Sequence, residues 1–144
     1  MAALLGDAEV MRFYPAPKTR AQAQAWIDWN VRNYAEHGFG LWVVEMHDGE
    51  FVGDCGLTWQ TVGGERRVEV GYHVRVQMQG RGLATEAAAA CRAAAGAGGI
   101  EHLVAIIHPQ NAPSQRVAQK IGLTLERSVP RGEGEALIFS ADLD

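Results

Sequence analysis

Hydrophobic and polar positions repeat along the chain with two periods, which predict its helices and strands. A helical period begins after Thr19, which forms a capping box with Gln22, passes through Tyr34 and ends at Gly38. A period of two, typical of half-buried strands, marks residues 68–74, and the other predicted strands are short runs bounded by turns or helices. The predicted strands cover residues 41–46, 51–60, 68–74, 103–107, 124–129 and 137–142, and two more helices cover residues 83–95 and 113–121.

The order of these elements indicates a mixed α/β (α+β) fold. The chain is predicted to form one helix, three meandering strands, a helix, a strand, a helix and two final strands. This order favours a mixed, mostly antiparallel sheet flanked by helices. Residues 4–13 are predicted to be the tail of a helix or a turn. The chain has 144 residues without an internal repeat or a low-complexity linker. We therefore expect a single domain over residues 1–144.

Composition and charge exclude several classes of protein. The chain has 47% hydrophobic residues and 21% charged residues, which is ordinary for a soluble domain. The 13 Lys and Arg residues against 17 Asp and Glu give a net charge of −4 without a basic block, so nucleic-acid binding is not expected. No apolar run is long enough to predict a membrane span.

Cysteine and histidine positions predict no metal site. The histidines have no ligand spacing, and Cys55 and Cys91 lie far apart in the sequence. The start of the chain lacks the charged flank of a signal peptide. We therefore expect reduced thiols in a cytoplasmic protein.

A glycine loop between a predicted strand and a predicted helix is the most informative motif. It consists of Gln79, Gly80, Arg81, Gly82, Leu83 and Ala84. The glycines allow a ligand to approach the backbone closely, and the helix start offers unpaired N–H groups with a partial positive charge. This combination predicts a phosphate or pyrophosphate site. A dinucleotide-binding loop would need a third glycine where Thr85 stands, and the P-loop motif is also missing. A tight turn without a ligand is the structural alternative.

Three segments in their order along the chain carry a resemblance to a known family. Residues 79–84 match the coenzyme A signature Gln/Arg-x-x-Gly-x-Gly/Ala, so the chain resembles the GNAT superfamily of acetyl-CoA-dependent N-acetyltransferases. Residues 69–72 (Glu-Val-Gly-Tyr) and residues 111–123 (from Asn-Ala-Pro-Ser to Ile-Gly-Leu) are similar to the branch that includes ribosomal-protein N-terminal acetyltransferases. The resemblance covers about residues 7–143. It implies the GNAT fold and acetyl-CoA as co-substrate.

The resemblance also implies how the coenzyme is held. In the family, the strand before the glycine loop separates from its neighbour, and the pantetheine arm lies in the gap. Main-chain groups of Tyr72 and Val74 are expected to bind that arm as an added strand would. Backbone N–H groups from Gly80 to Ala84 would hold the pyrophosphate, and Asn111 would contact coenzyme A from the far side.

The implied reaction requires a neutral amine. An α-amine with a pKa near 8 is roughly 10% neutral at pH 7, and a lysine near 10.4 only about 0.04%, so a general base is useful. Glu69 is our candidate because it lies one strand residue away from the apolar face. His73 lies on the same face and is the rival base. A solvated polar side chain on a half-exposed strand is the structural alternative for Glu69.

The leaving thiolate of coenzyme A also needs a hydrogen-bond or proton donor. Many superfamily members use a tyrosine at the position that Ala118 occupies here. By resemblance, Ser114 orients or protonates the sulfur, although it could instead bond to its own backbone in the first turn of a helix. Trp42 and Trp59 are predicted to line the acceptor pocket.

Family members usually place a strand and a helix before the segment that corresponds to residues 7–13. This chain has almost none of that, so we expect either a short start or a reduced sheet. We also expect an uncovered edge near residues 41–46 and a homodimer. The function implied is transfer of an acetyl group from acetyl-CoA to a protein N-terminus or a small-molecule amine by direct attack. The alternatives are a catalytically weak acyl-CoA-binding module and a nucleotide- or phosphate-binding protein.

Overall fold

The computed structural model describes residues 1–143, and its elements follow the predicted order. The helices are α1 (Ala2–Leu5), α2 (Arg20–His37), α3 (Leu83–Ala97) and α4 (Ala112–Lys120), with a 3₁₀ turn at Val76–Met78. The strands are β1 (Leu41–Glu45), β2 (Phe51–Val62), β3 (Glu65–Val74), β4 (His102–Ile107), β5 (Thr124–Arg131) and β6 (Gly134–Asp142). The predicted bounds differ by a few residues because β2, β3, β5 and β6 extend into their hairpin turns.

The six strands form one sheet in the order β1-β2-β3-β4-β6-β5. Strands β3 and β4 are parallel, and the other neighbours are antiparallel. The structure thus confirms the predicted fold class, a mixed and mostly antiparallel sheet flanked by helices. Strand β1 lies at one edge of the sheet, as the sequence predicted for residues 41–46.

Strands β3 and β4 separate soon after they meet. Their pairing consists of Val68 with Leu103 and Glu69 with Val104. Beyond Glu69, β3 continues to Val74 beside β2 but without β4. A gap therefore opens in the middle of the sheet, directly before the glycine loop.

Helix α2 begins and ends as its sequence predicts. The Thr19 hydroxyl accepts a hydrogen bond from the backbone N–H of Gln22, and the Gln22 side chain accepts one from the backbone N–H of Thr19. Gly38 ends the helix with a φ of +77°, a conformation that glycine adopts without strain. No helix within residues 1–143 is both long enough and apolar enough to cross a lipid bilayer.

The main hydrophobic core lies between the sheet and helices α3 and α4. The small side chains of Ala88 and Ala95 are almost fully buried, which lets α3 approach β2 and β3 closely. Cys91 is buried in this helix, and its Sγ lies 3.6 Å from Sγ of Cys55 on β2. Both cysteines are free thiols. This core fixes the helix that follows the glycine loop.

A charged network on β3 anchors the β5–β6 hairpin. The guanidinium of Arg67 donates to both carboxylate oxygens of Glu126, at 2.8 and 2.7 Å. Glu126 lies where the β5–β6 register shifts, at a bulge that gives its side chain a new direction. The hydrogen bonds from Arg67 lower the pKa of Glu126 to about 2. His102 contacts Arg67 and also Asp142 Oδ1, at 2.7 Å, so the network joins β3 through β6.

Candidate active site

A cavity of about 310 Å³ lies beside the free end of β3, between the glycine loop and helix α4. Every predicted coenzyme residue except Arg81 lines it. These residues are Tyr72, Val74, Gln79, Gly80, Gly82, Leu83, Ala84 and Asn111. The fold therefore brings together residues that lie almost 40 positions apart in the sequence.

The glycine loop leaves the start of α3 free of side-chain caps. Gly80 has a φ of +75° and Gly82 a φ of +77°, and no heavy atom lies within 4 Å of a Cβ built at either position. The N-cap residue of α3 is Gly82, so no N-cap side chain accepts a hydrogen bond from the first N–H groups of this helix. The first N–H groups of α3 are therefore available to an anion. The Arg81 side chain turns away and donates to Met78 Sδ at 3.0 Å.

The main chain of β3 offers hydrogen-bonding groups to the gap. The backbone N–H of Arg75 donates to the carbonyl of Val52 on β2, at 3.0 Å. Because bonding direction alternates along an antiparallel strand, the main-chain groups of Tyr72 and Val74 point away from β2. The Gln79 side chain donates to the Val74 carbonyl at 2.9 Å, which takes up part of that edge.

Helix α4 forms the opposite wall of the cavity. Asn111 caps this helix, because its Oδ1 accepts a hydrogen bond from the backbone N–H of Ser114 at 3.2 Å. The Tyr72 hydroxyl donates to the Ser114 carbonyl at 2.9 Å, which ties the wall to β3. Arg116 and Lys120 on α4 add positive charge to the lining, and the sequence analysis did not identify them.

A second cavity, of about 550 Å³, is also lined by Tyr72. Tyr14, Tyr72, Asn111 and Ser114 line both cavities, so the two spaces meet at these side chains. Tyr14 belongs to the irregular segment before α2, and its ring lies over the junction. Ligands bound in the two cavities can therefore meet beside Tyr72 and Ser114.

Glu69 lines the second cavity from β3. Burial raises the pKa of its carboxyl from 4.5 to about 7. The charges of Arg131 and His73, and the backbone N–H of Ile106, act in the opposite direction but do not offset the burial. Glu69 is thus a carboxylate whose proton affinity suits exchange with an amine near neutral pH.

His73, the rival base, lies in the coenzyme cavity instead. Its Nδ1 is 2.9 Å from Oδ1 of Asp54, a carboxylate that is 2% exposed. Its Nε2 is buried and has no hydrogen-bond partner within residues 1–143. The Tyr14 ring lies against the imidazole, with ring centroids 5.4 Å apart. Asp54 and Tyr14 are contacts that the sequence analysis missed.

The prediction that Trp42 and Trp59 line the acceptor pocket is wrong for the cavity that holds Glu69. Trp59 lines a separate cavity of about 260 Å³ between the β2–β3 hairpin and α2, where the Arg66 guanidinium lies 4.9 Å from its ring. Trp42 stacks on Tyr34 at 6.2 Å. Both tryptophans lie on β-strands near α2, away from the gap between β3 and β4. No cluster of three or more His, Cys, Asp or Glu side chains within residues 1–143 is placed to hold a metal ion.

Comparison with known proteins identifies the family to which this chain belongs. The family model described as "Acetyltransferase (GNAT) domain" matches residues 1–124. The chain belongs to the GNAT acetyltransferase family. This GNAT chain is also 36% identical to the uncharacterised protein YkkB of Bacillus subtilis over 131 residues, which make up 88% of the chain and 74% of that protein.

Solved structures share the fold of this GNAT domain. It superposes on an acetyltransferase from Agrobacterium tumefaciens with a TM-score of 0.83 and 26% identity, covering 97% of this chain and 81% of that one. It superposes on yncA from Salmonella typhimurium, solved with its cofactor acetyl-CoA, with a TM-score of 0.76 and 21% identity. That match covers 99% of this chain and 88% of yncA. The GNAT identity of the fold, predicted from residues 79–84, is therefore confirmed.

Proposed function

We propose that this GNAT protein transfers the acetyl group of acetyl-CoA to an amine by direct nucleophilic attack. The observation that carries the proposal is the junction of two cavities at Tyr72 and Ser114, with unpaired helix N–H groups in one and Glu69 in the other. The pyrophosphate binds the loop from Gly80 to Ala84, and the pantetheine arm lies along Tyr72 and Val74. Asn111 contacts the coenzyme from α4. The acceptor amine enters from the Glu69 side.

Glu69 is the base that we assign to the amine. The amine nitrogen attacks the thioester carbon, a C–N bond forms, and the C–S bond breaks with its electron pair on sulfur. The proton lost by the amine moves to the Glu69 carboxylate, directly or through water. His73 is the weaker candidate because it lines the coenzyme cavity, whereas the amine must be deprotonated on the acceptor side.

The leaving thiolate is stabilised by a hydrogen bond from the Ser114 hydroxyl rather than by proton transfer from Tyr72, whose hydroxyl already donates to the Ser114 carbonyl. Burial raises the pKa of Tyr72 to about 12, although its hydrogen bond to Ser114 acts in the opposite direction. A thiol titrates near 8.5, so moving the Tyr72 proton to the thiolate would cost about 5 kcal/mol. The Ser114 hydroxyl, still less acidic, is the hydrogen-bond donor that orients the sulfur. The proton that finally neutralises the thiolate comes from the amine.

Titration calorimetry tests whether the protein binds acetyl-CoA, as the proposed reaction requires. Purified protein is titrated with acetyl-CoA, and ATP and NAD serve as comparators that share the nucleotide pyrophosphate but lack the pantetheine arm. We expect micromolar binding of acetyl-CoA and at least tenfold weaker binding of the comparators. Tighter binding of ATP or NAD would favour the nucleotide-binding alternative. Binding of acetyl-CoA without turnover on any amine would favour the acyl-CoA-binding module.

We also propose a homodimer that pairs through the edge strand β1. Val43 on this strand is 57% exposed, and Trp42 beside it is 38% exposed. An edge strand with exposed apolar side chains pairs readily with a second chain. We expect light scattering to give the mass of a dimer, and Val43→Lys to convert it to a monomer. Val31→Lys on α2, an equally exposed position, is the matched control. A monomeric wild-type protein at micromolar concentration would refute the dimer.

A further inference from the structure

The acceptor cavity holds two opposite charges that do not pair with each other. Glu69 lies on β3 in the depth of the cavity, and Arg131 lies at the end of β5 on its rim. Within residues 1–143, neither side chain has an oppositely charged partner within 4.0 Å, the distance that defines a salt bridge. The cavity thus presents a carboxylate and a guanidinium with an open space between them.

The two charges face the same space. Burial raises the pKa of Glu69, and the Arg131 guanidinium is the strongest of the influences that lower it. The same guanidinium also lowers the pKa of Tyr14, whose ring lies over the junction of the cavities, although burial and nearby carboxylates raise it overall. Arg131, Glu69 and Tyr14 all line the same cavity, which is the geometric basis of this coupling.

The other charged groups of this cavity are engaged or lie further out. Arg12 lies 3.9 Å from Glu9, and its guanidinium covers the Phe13 ring at 4.9 Å. Glu135 accepts a hydrogen bond from the Ser128 hydroxyl at 3.0 Å. Glu133 lies in the exposed turn between β5 and β6. Arg131 is therefore the cation best placed to receive an anionic group of the acceptor.

We propose that the acceptor is a free α-amino acid, with its amine directed to Glu69 and its carboxylate bound by Arg131. This inference rests on the proposed acetyl transfer and selects a small zwitterion over a protein N-terminus, whose first residue has no free α-carboxylate. A guanidinium binds a carboxylate through two parallel N–H···O bonds, which fixes the orientation of the amine beside it. The remaining volume near Pro15, Ile107 and Ala136 accommodates the amino-acid side chain.

Matched acceptors test the carboxylate site. Acetylation is measured for a panel of amino acids, and the best of them is compared with its amide and with the amine that lacks the carboxylate. Because a charge-assisted hydrogen bond is involved, we expect kcat/KM to be about 10 to 100 times higher for the amino acid. Arg131→Met should abolish this preference, mainly through a higher KM for the amino acid. Arg131→Lys should restore part of it, and Arg20→Met on the exposed start of α2 is the matched control.

The outcomes separate this inference from the proposed function. Equal turnover of the amino acid and its amide, or an unchanged preference in Arg131→Met, would overturn the carboxylate site while acetyl transfer stands. A preference for diamines, drawn by Glu133 and Glu135, would overturn it in favour of a cationic acceptor. Acetylation of peptides but not of amino acids would assign a protein acceptor. Acetyl-CoA binding without transfer to any of these amines would overturn both proposals.

Discussion

Replacing Glu69 by Gln should lower kcat/KM about 100- to 10,000-fold while leaving the affinity for acetyl-CoA unchanged. The range is the usual contribution of a general base. Glutamine keeps the shape of the side chain but cannot accept the proton of the amine. Glu69 lines the acceptor cavity and not the coenzyme cavity, so coenzyme binding should not change. Steady-state kinetics with the best acceptor and calorimetry with acetyl-CoA measure the two quantities separately.

The pH dependence of the wild type should report the same carboxyl group. Since burial raises the pKa of Glu69 to about 7, its basic form predominates only above that pH. We expect kcat/KM, calculated per neutral acceptor amine, to rise about tenfold per pH unit below 7 and to level off above it. In Glu69→Gln the residual kcat/KM should no longer rise with pH below 7. If kcat/KM still rises with pH below 7 in Glu69→Gln but not in His73→Gln, the base is His73.

As the pH rises towards 7, the free energy of unfolding should fall while kcat/KM rises. A carboxyl whose folded-state pKa exceeds its unfolded value of 4.5 binds more protons in the native state, so native stability falls as pH rises from about 4.5 to 7. A shift of this size corresponds to at most about 3 kcal/mol above pH 7. Glu69→Gln should therefore unfold at a higher urea concentration than the wild type at pH 8. The difference should shrink at pH 5, where Glu69 is protonated in the native state.

The sequence was sufficient for the parts of the site that local structure dictates. A strand, two glycines and an alanine-rich helix occur in a short stretch, and their backbone requirements are visible in residues 79–84. The period of two in β3 correctly placed Glu69 on the face opposite Val68 and Val70, which are buried in the core. Alternation alone could not show that the Glu69 carboxyl is buried, because that depends on the neighbouring β4 and on the β5–β6 hairpin.

The missed residues come from segments without a periodic pattern. Tyr14 precedes Pro15 in an irregular stretch, and nothing local indicates that its ring covers the junction of two cavities. Arg131 occupies a hairpin end, where charged residues are usually solvated. Only the folded β5–β6 hairpin, where Arg131 pairs with Gly134, brings it to the cavity that Glu69 also lines. The prediction for Trp42 and Trp59 was wrong for a related reason. Their positions on strands do not specify which cavity their side chains line.

Placing a carboxylate at the start of α3, by Gly82→Asp, should weaken acetyl-CoA binding at least about 100-fold. The N–H groups after Gly82 have no side-chain cap, and we assign them to the pyrophosphate. A like charge about 4 Å from a phosphate costs about 4 kcal/mol at an effective dielectric constant of 20, and solvent screening reduces this to the expected loss. Calorimetry with acetyl-CoA gives the affinity, and thermal unfolding without ligand reports whether the fold is kept.

Gly99→Asp provides the matched control for this variant. Gly99 also has a positive φ, +85°, and no heavy atom lies within 4 Å of a Cβ built there. The two variants therefore share the charge change and the left-handed backbone strain, which costs about 1–2 kcal/mol of stability in each. Gly99 follows the far end of α3 and does not line the coenzyme cavity, so its variant should bind acetyl-CoA normally. Equal losses in both variants would mean that net charge or stability, and not the glycine loop, determines coenzyme affinity. Normal binding by Gly82→Asp would show that the pyrophosphate lies elsewhere.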